Sequence, residues 1–300
     1  MSRGDQGSGP EGVRFSVATP ARNALSHLVR CVGSVRGQQG VSLEHLVQDA
    51  ASQDGTPRWL ADQPDLCWRS EADSGMYDAI ARGWARSTGE FLSWLNADEQ
   101  YLPGTLQRVA AYFDRHPDTD VVFGDYVVCG PDGGVIALRR EIPFRRLYVA
   151  NSFLYSASCT LFFRRRLLER GWLIFDPKLR YAADCDLMLN LADRGARIAH
   201  LPGYLALFGV DGNNLSGHAR MAVEAELVRQ RHGALRSQAL RAGVLGMRRL
   251  ERLLRGGYRR CDLAFDFAED ALPSYRRVQA TGVGGRYELG DQPMARVEAG

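Results

Sequence analysis

Between residues 13 and 128, short apolar runs alternate with segments of helical period, and few architectures accommodate that rhythm. VRFSVAT reads as a first strand, Ala24 to Arg36 as a helix, and LEHLVQD as a second strand ending at Asp49. DLCWRSE is a third apolar run, after which Met76, Ile80 and Trp84 or Gly83 recur at helical spacing. GEFLSWLNADE is a short strand closing on a polar cluster, Pro103 opens a helix at its first turn, and TDVVFGDYVV is another strand. Alternation of this regularity predicts an α/β fold with a mostly parallel central sheet flanked by helices.

The second half changes character. GPDGG breaks the chain like a hairpin turn, and VIALRREIPF and NSFLYSASCTLFF read as extended pieces beside the main sheet. LRYAADCDLMLNLADRG reads as a helix with an acidic opening and a stop at Gly195, and ARIAHLPGYLALFGV as a returning strand or pair. The expected organisation is a disordered segment 1–12 and a catalytic domain 13–216, divided into a nucleotide-binding half 13–128 and an acceptor half 129–216. A basic helical extension over 217–279 and a loose tail over 280–300 complete it.

Composition removes several function classes. An apolar fraction of 45% suits a chain with a sizeable core rather than a disordered scaffold. No apolar run is long enough to cross a bilayer, and the polar opening MSRGDQGSGPEG lacks the apolar centre of a secretory signal, so a cytoplasmic location is expected. The six cysteines have no CxxC spacing and read as reduced core residues. Net charge is only +3, but residues 229–260 hold ten arginines against one acid, Glu251. That stripe suits either a solvated helix face or an anionic partner such as a membrane surface.

Ligands of open parallel sheets bind at the carboxyl ends of the strands, which gives weight to the polar residues there. ATPARNALSHL after the first strand carries neither GxGxxG nor GxxxxGK[ST], which excludes a classical dinucleotide fold and a P-loop. Asp98 in LNADE offers oxygen to a hard cation such as Mg²⁺ or Mn²⁺. In an extended segment Asn96 faces the same way and Glu99 points aside. Asp184 and Asp186 precede an amphipathic helix, where one aspartate is explained as a cap and a second suggests a general base. His116 reads as a surface residue, and His200 as a weaker candidate near the site.

In their order, VATPARNALSHLVRCVGSVRGQ, HLVQDAASQDGT, EADSGMYDAIARGWARSTGEFLSWLNADE, the segment from SASCTLFF to LNLADRG, and GVDGNNLS resemble the family 2 glycosyltransferases. These are inverting enzymes of GT-A fold, here of the bacterial cell-surface polysaccharide type. The resemblance implies that Thr19 and Asn23 lie beside the nucleotide and that Asp49 holds its base or ribose. It places Asp73 and Asp78 on the donor side, Asp98 on the metal with Asn96 and Glu99 beside it, and Asp184 as the base that deprotonates the acceptor, with Asp186 supporting the helix start. Three positions depart from the family pattern: Asn96 stands for an acid, Glu99 for an aspartate, and Ala183 precedes Asp184 where an acid is usual.

The implied activity is metal-dependent transfer of a sugar from a nucleoside-diphosphate sugar, with UDP favoured, to a saccharide, lipid-linked or small-molecule acceptor. A nonenzymatic or degenerate nucleotide-sugar-binding subunit and a metal-dependent nucleotidyltransferase are the alternatives. Homodimerisation and peripheral contact at the inner membrane face are kept as candidate associations, and no nucleic-acid partner is expected.

Overall fold

The computed structural model describes residues 12–210, 219–272 and 274–286. The expectations for 1–11, for most of GVDGNNLS and for 287–300 lie outside the described residues. The first half follows the predicted alternation: β1 (Phe15–Ala21), α1 (Leu25–Arg36), β2 (Leu43–Asp49), α2 (Thr56–Ala61), β3 (Leu66–Ser70), α3 (Met76–Ala85) and β4 (Phe91–Trp94). Then come β5 (Gln100–Tyr101), α4 (Thr105–Arg115) and β6 (Val121–Cys129). Pro103 precedes α4 rather than opening it; the N-cap is Gly104, whose φ of 75° suits glycine.

The sheet is mixed rather than mostly parallel. Its order is β3-β2-β1-β4-β8-β6-β9-β5, with β7 (Val135–Arg139) on β6. β1 to β4 pair in parallel, as do β6 and β9 (Ile198–Gly209), but β8 (Phe162–Arg164) inserts antiparallel between β4 and β6. The physical reason is connectivity: GPDGG turns the chain into the β6–β7 hairpin, and the return brings β8 in from the opposite end. Because β8 is antiparallel to both neighbours, β4, β6 and β9 still end on the same side of the sheet.

α5 (Arg146–Asn151) falls between the two pieces expected to be extended, and NSFLYSASCTLFF becomes a strand only at its end, in β8, after a short helical turn over Ser158–Thr160; α6 (Arg165–Glu169) follows. α7 (Ala183–Asp193) ends at Gly195, in the left-handed region with φ 83°, as its sequence predicts. The extension is helical only through α8 (Ala219–Arg231) and α9 (Gln238–Leu254). Beyond them β10 (Cys261–Ala268) and β11 (Tyr275–Val283) form an antiparallel hairpin, which corrects the helical reading to residue 279. Leu263, Phe265 and Phe267 in CDLAFDFA repeat every second residue, a strand signal. Phe265, Phe267 and Val278 pack against Val127, Leu138 and Leu207 of the main sheet.

One core layer matters most for the site. Trp84 of α3 and Trp94 of β4 lie with ring centroids 5.6 Å apart, Trp94 stacks on Phe163 of β8 at 5.7 Å, and Phe175 stacks on Trp84 at 5.5 Å. Each such aromatic buries about 150–250 Å². This cluster fixes the end of β4, and therefore the turn that carries Asn96 and Asp98. No helix among the described residues is long and apolar enough to cross a membrane.

Candidate active site

The carboxyl ends of β1, β4, β6 and β9 open into one cleft of about 1130 Å³. Asn23, Asp73, Asp78, Asn96, Asp98, Glu99 and Asp184 all line it. Residues remote in sequence are thus gathered by the strand ends together with the starts of α3 and α7.

Two loops form the wall after β1 and β2. Both contain a non-glycine residue in the left-handed region, Asn23 (φ 48°) and Ala51 (φ 52°). Asparagine tolerates that conformation; alanine adopts it at a cost of about 1–2 kcal/mol. The loops are laced together: the Asn23 amide donates to Ser52 Oγ at 2.7 Å, Asn23 Oδ1 accepts from the Gln53 amide at 2.8 Å, and Asp54 Oδ2 accepts from the Leu25 amide at 2.9 Å.

Thr19 and Asp49 do not line the cleft. Thr19 is fully buried, with its hydroxyl 2.8 Å from His45 Nε2. Asp49 is also fully buried beneath the loop and accepts from the Ser52 amide (3.0 Å), the Ser52 hydroxyl and the Ser70 hydroxyl (2.6 Å). In this structure it organises the wall.

Asp73 and Asp78 sit at the entrance to α3. Asp73 Oδ1 accepts from the Gly75 amide at 2.9 Å, and Gly75 has φ 125°, which a side chain would strain. Asp78 Oδ2 accepts from the Ser74 amide at 2.9 Å and pairs with Arg82 at 2.9 Å. Burial alone would raise the Asp78 pKa, but the Ser74 amide and Arg82 outweigh it and lower it. Asp78 is therefore occupied as a helix-start acid, whereas Asp73 retains an oxygen without a bond to Gly75.

The segment after β4 is a tight turn rather than an extended strand. Glu99 does not point aside: it folds back, accepting from the Asn96 amide (2.8 Å) through one oxygen and from Ser158 Oγ (2.9 Å) through the other. Burial, and then the neighbouring Asp98 charge, push its pKa up to about 8. Gly209 at the end of β9 lets the Asp98 backbone approach, since a Cβ there would collide with the Asp98 carbonyl. Three residues lining the cleft hold buried polar atoms without a hydrogen-bond partner: Trp94 Nε1, Asn96 Oδ1 and Ser156 Oγ. Buried polar atoms are seldom left unpaired in folded proteins, so such atoms on a cleft wall point to a ligand.

Among the described residues no group of three His, Cys, Asp or Glu side chains converges as a metal cage. The unpartnered Asn96 Oδ1 beside Asp98 nevertheless fits a hard cation that takes only one or two protein oxygens and completes its shell from a phosphate.

Asp184 stands in the first turn of α7, its Oδ1 accepting from the Cys185 amide at 2.7 Å. Burial raises its pKa to about 6, against the opposing hydrogen bond from the Cys185 amide and the nearby Tyr77 hydroxyl, which itself donates to the Tyr181 carbonyl at 3.5 Å. Tyr77, absent from the predicted site, also packs its ring 4.8 Å from Phe175. Its place in DSGMYD, next to Asp78 and on the buried face of α3, was the available signal.

Asp186 lies outside the cleft and joins helices. Its Oδ1 meets Arg231 (3.0 Å) and His232 Nε2 (3.1 Å), while His232 Nδ1 lies 2.9 Å from Asp193. His200 also lies outside the cleft, with Nε2 2.8 Å from Asp125 Oδ1; Asp125 also accepts from the Glu141 amide after β7 and from the Gly203 amide within β9. It belongs to the sheet rather than to the candidate site.

Comparison with known proteins agrees with this fold. The model described as Glycosyl transferase family 2 matches residues 16–174, more than half the chain. The chain is similar, at 28% identity over 72% of its length and 83% of the relative, to a PGL/p-HBAD biosynthesis glycosyltransferase of Mycobacterium bovis (strain BCG / Pasteur 1173P2). It is also 28% identical to the Succinoglycan biosynthesis protein ExoO of Rhizobium meliloti, over 64% of this chain and 60% of that one. Among solved structures, S. aureus TarS 1-349 in complex with UDP-GlcNAc aligns with a TM-score of 0.61 at 18% identity, covering 81% of this chain and 73% of that one. Mannosyltransferase PcManGT from Pyrobaculum calidifontis, in complex with GDP-Man and Mn²⁺, gives 0.51 at 19% identity, covering 80% of each. At those identities the likeness is one of fold.

Proposed function

The chain belongs to glycosyl transferase family 2, and from that premise we propose that it carries a sugar from a nucleoside-diphosphate donor to an acceptor hydroxyl with inversion at the anomeric carbon. The observation that carries this reading is the meeting of Asp98 and Asp184 in one cleft, the first on a turn that suits a cation and the second with a pKa suited to a base.

The laced loops after β1 and β2 give the nucleotide a rigid wall, and Asp73 is an acceptor for a sugar or ribose hydroxyl. Asn96 Oδ1 and Asp98 would hold Mg²⁺ or Mn²⁺, which when bound neutralises the charge of the departing diphosphate. Asp184 accepts the proton of the acceptor hydroxyl as its oxygen bonds to C1, and the C1–O bond to the diphosphate breaks with its electron pair leaving on the phosphate oxygen. The Cys185 amide orients the carboxylate, and Tyr77 walls the cleft beside it. The loss of acids at 96 and 183 leaves one carboxylate for each role, which suffices for a single displacement.

The relatives are named for PGL/p-HBAD and succinoglycan biosynthesis, and a saccharide or lipid-linked acceptor is favoured over a small molecule. UDP is the favoured nucleotide. The test is product analysis with Asp184→Asn. A nucleoside diphosphate and a new glycoside should form with the wild type, while the variant binds donor normally and turns over about 10² to 10⁴ more slowly. A nucleotide-sugar as product would favour nucleotidyl transfer, and a wild-type rate for the variant would remove Asp184 as base.

A further inference from the structure

α9 is folded inside out for a surface helix of a water-soluble domain. Its inward side holds Val244, Arg248 and Arg252, all buried, while Leu240 (58% exposed), Met247 (49%), Leu250 (55%), Leu253 (59%) and Leu254 (79%) face out. At 100° per residue these five span an arc of about 140°, and the gaps between them are filled by alanine and glycine, with no charge inside the arc. A helix whose apolar arc points to solvent normally has a cover.

The two inward arginines are held differently. Arg252 donates to the Arg140 carbonyl at 3.0 Å, whereas the Arg248 guanidinium lies 4.0 Å from the Phe153 ring centroid with its Nε and one terminal nitrogen buried without a hydrogen-bond partner. Exposed basic residues flank the arc: Arg236 before the helix, Arg249 along one border, and Arg255, Arg259 and Arg260 after its end. The single acid, Glu251, is engaged by Arg145 at 3.1 Å and Arg255 at 3.0 Å. An apolar stripe bordered by arginines complements lipid tails beneath anionic headgroups. A second copy of the same face would bring arginines against arginines.

We propose that the outward face of α9 is a monotopic contact that seats the protein on an anionic bilayer. The arc enters the headgroup boundary and the flanking arginines meet lipid phosphates. α9 packs on α5, and Arg248 covers Phe153, which lines the cleft. The bilayer therefore lies beside the 152–158 side of the cleft. Resting on the glycosyl-transfer reading, this gives the acceptor a class: a hydroxyl carried on a lipid and offered from that side.

The experiment is co-sedimentation of the full chain with phosphatidylcholine vesicles, with or without about a third phosphatidylglycerol. The wild type should bind the anionic vesicles and release as salt rises. Met247→Glu/Leu250→Glu should lower binding about tenfold or more, and Arg249→Ser/Arg259→Ser/Arg260→Ser should weaken it toward the neutral-vesicle value. Both sets lie on exposed positions, and an unchanged circular dichroism spectrum and melting temperature verify the fold. Absence of wild-type binding, or full binding by the Glu variant, overturns the proposal. So does a wild-type dimer that the Glu variant converts to monomer, since a second copy would then be the cover. Nucleotide binding by calorimetry reads the transfer function separately, so failure of one leaves the other measurable.

Discussion

The cleft half and the C-terminal region obey opposite conventions. In β1 to β4 the polar side chains inside the strands, such as Ser16, His45 and Ser93, are buried and bonded within the protein, and those that line the cleft stand past the strand ends, so position along the strand reveals chemistry. In α9 Arg248 and Arg252 turn inward while Leu240, Leu250, Leu253 and Leu254 face out, so residue type gives the wrong face. A polar residue is therefore readable where backbone geometry dictates its direction, and much less so where a neighbouring carbonyl or aromatic ring competes for it.

The largest expected contrast is catalytic. Asp184→Asn should reduce turnover about 10² to 10⁴-fold, while no single change on the outward face of α9 should alter turnover of a soluble acceptor by even a fraction of that. Steady-state rates for the two variants side by side would break the comparison if they fell together.

Next is the joint between the halves. Burial alone would lower the His232 pKa, but its bonds to Asp186 and Asp193 outweigh that and raise it. His232→Leu should therefore cost about 2–4 kcal/mol in denaturant unfolding, because Asp186 is left buried with fewer partners. A raised histidine pKa contributes stability that is fully present below its unfolded value near 6.5 and is lost as pH rises through the folded value. The gap between wild type and variant should shrink on that side; a gap independent of pH would make the role one of packing alone.

The pH profile sharpens the cleft side. With Asp184 at about 6, kcat/KM should be flat above that value and fall tenfold per unit below it, as the base is protonated. An acid limb near 4 would mean that burial does not govern the base. As a stability matter the sign reverses: a raised carboxyl pKa favours the fold when protonated, so this contribution is lost as pH rises from the ordinary aspartate range through about 6.

The smallest effect belongs to the outward face. Leu250→Ser should change unfolding free energy by no more than about 0.5 kcal/mol, because the side chain is 55% exposed. A larger loss would show that the face has an intramolecular cover.

These differences explain what could be read in advance. The alternation through β4, the stop at Gly195 and the candidacy of Asp98 follow from periodicity and strand ends, and that of Asp184 from the acidic pair at a helix start. The antiparallel insertion of β8 does not, because two or three residues of strand carry no mark of direction and pairing is decided by the returning chain. Thr19 and Asp49 stood at strand ends yet face inward, since strand side chains alternate and a hydroxyl or carboxylate can be satisfied by His45, Ser52 and Ser70. Tyr77 was hidden because a tyrosine on a helix reads as core until the carboxylate beside it is known. The β10–β11 hairpin did have a period-two signal, masked by the helical, arginine-rich segment before it.

Calorimetry of UDP and GDP with the wild type and Asp98→Ala, each with and without Mn²⁺, tests the central claim most directly. One nucleotide should bind the wild type only, or much more tightly, with the cation, and Asp98→Ala should abolish the cation's contribution. Metal-dependent binding of equal strength in both proteins would contradict the claim.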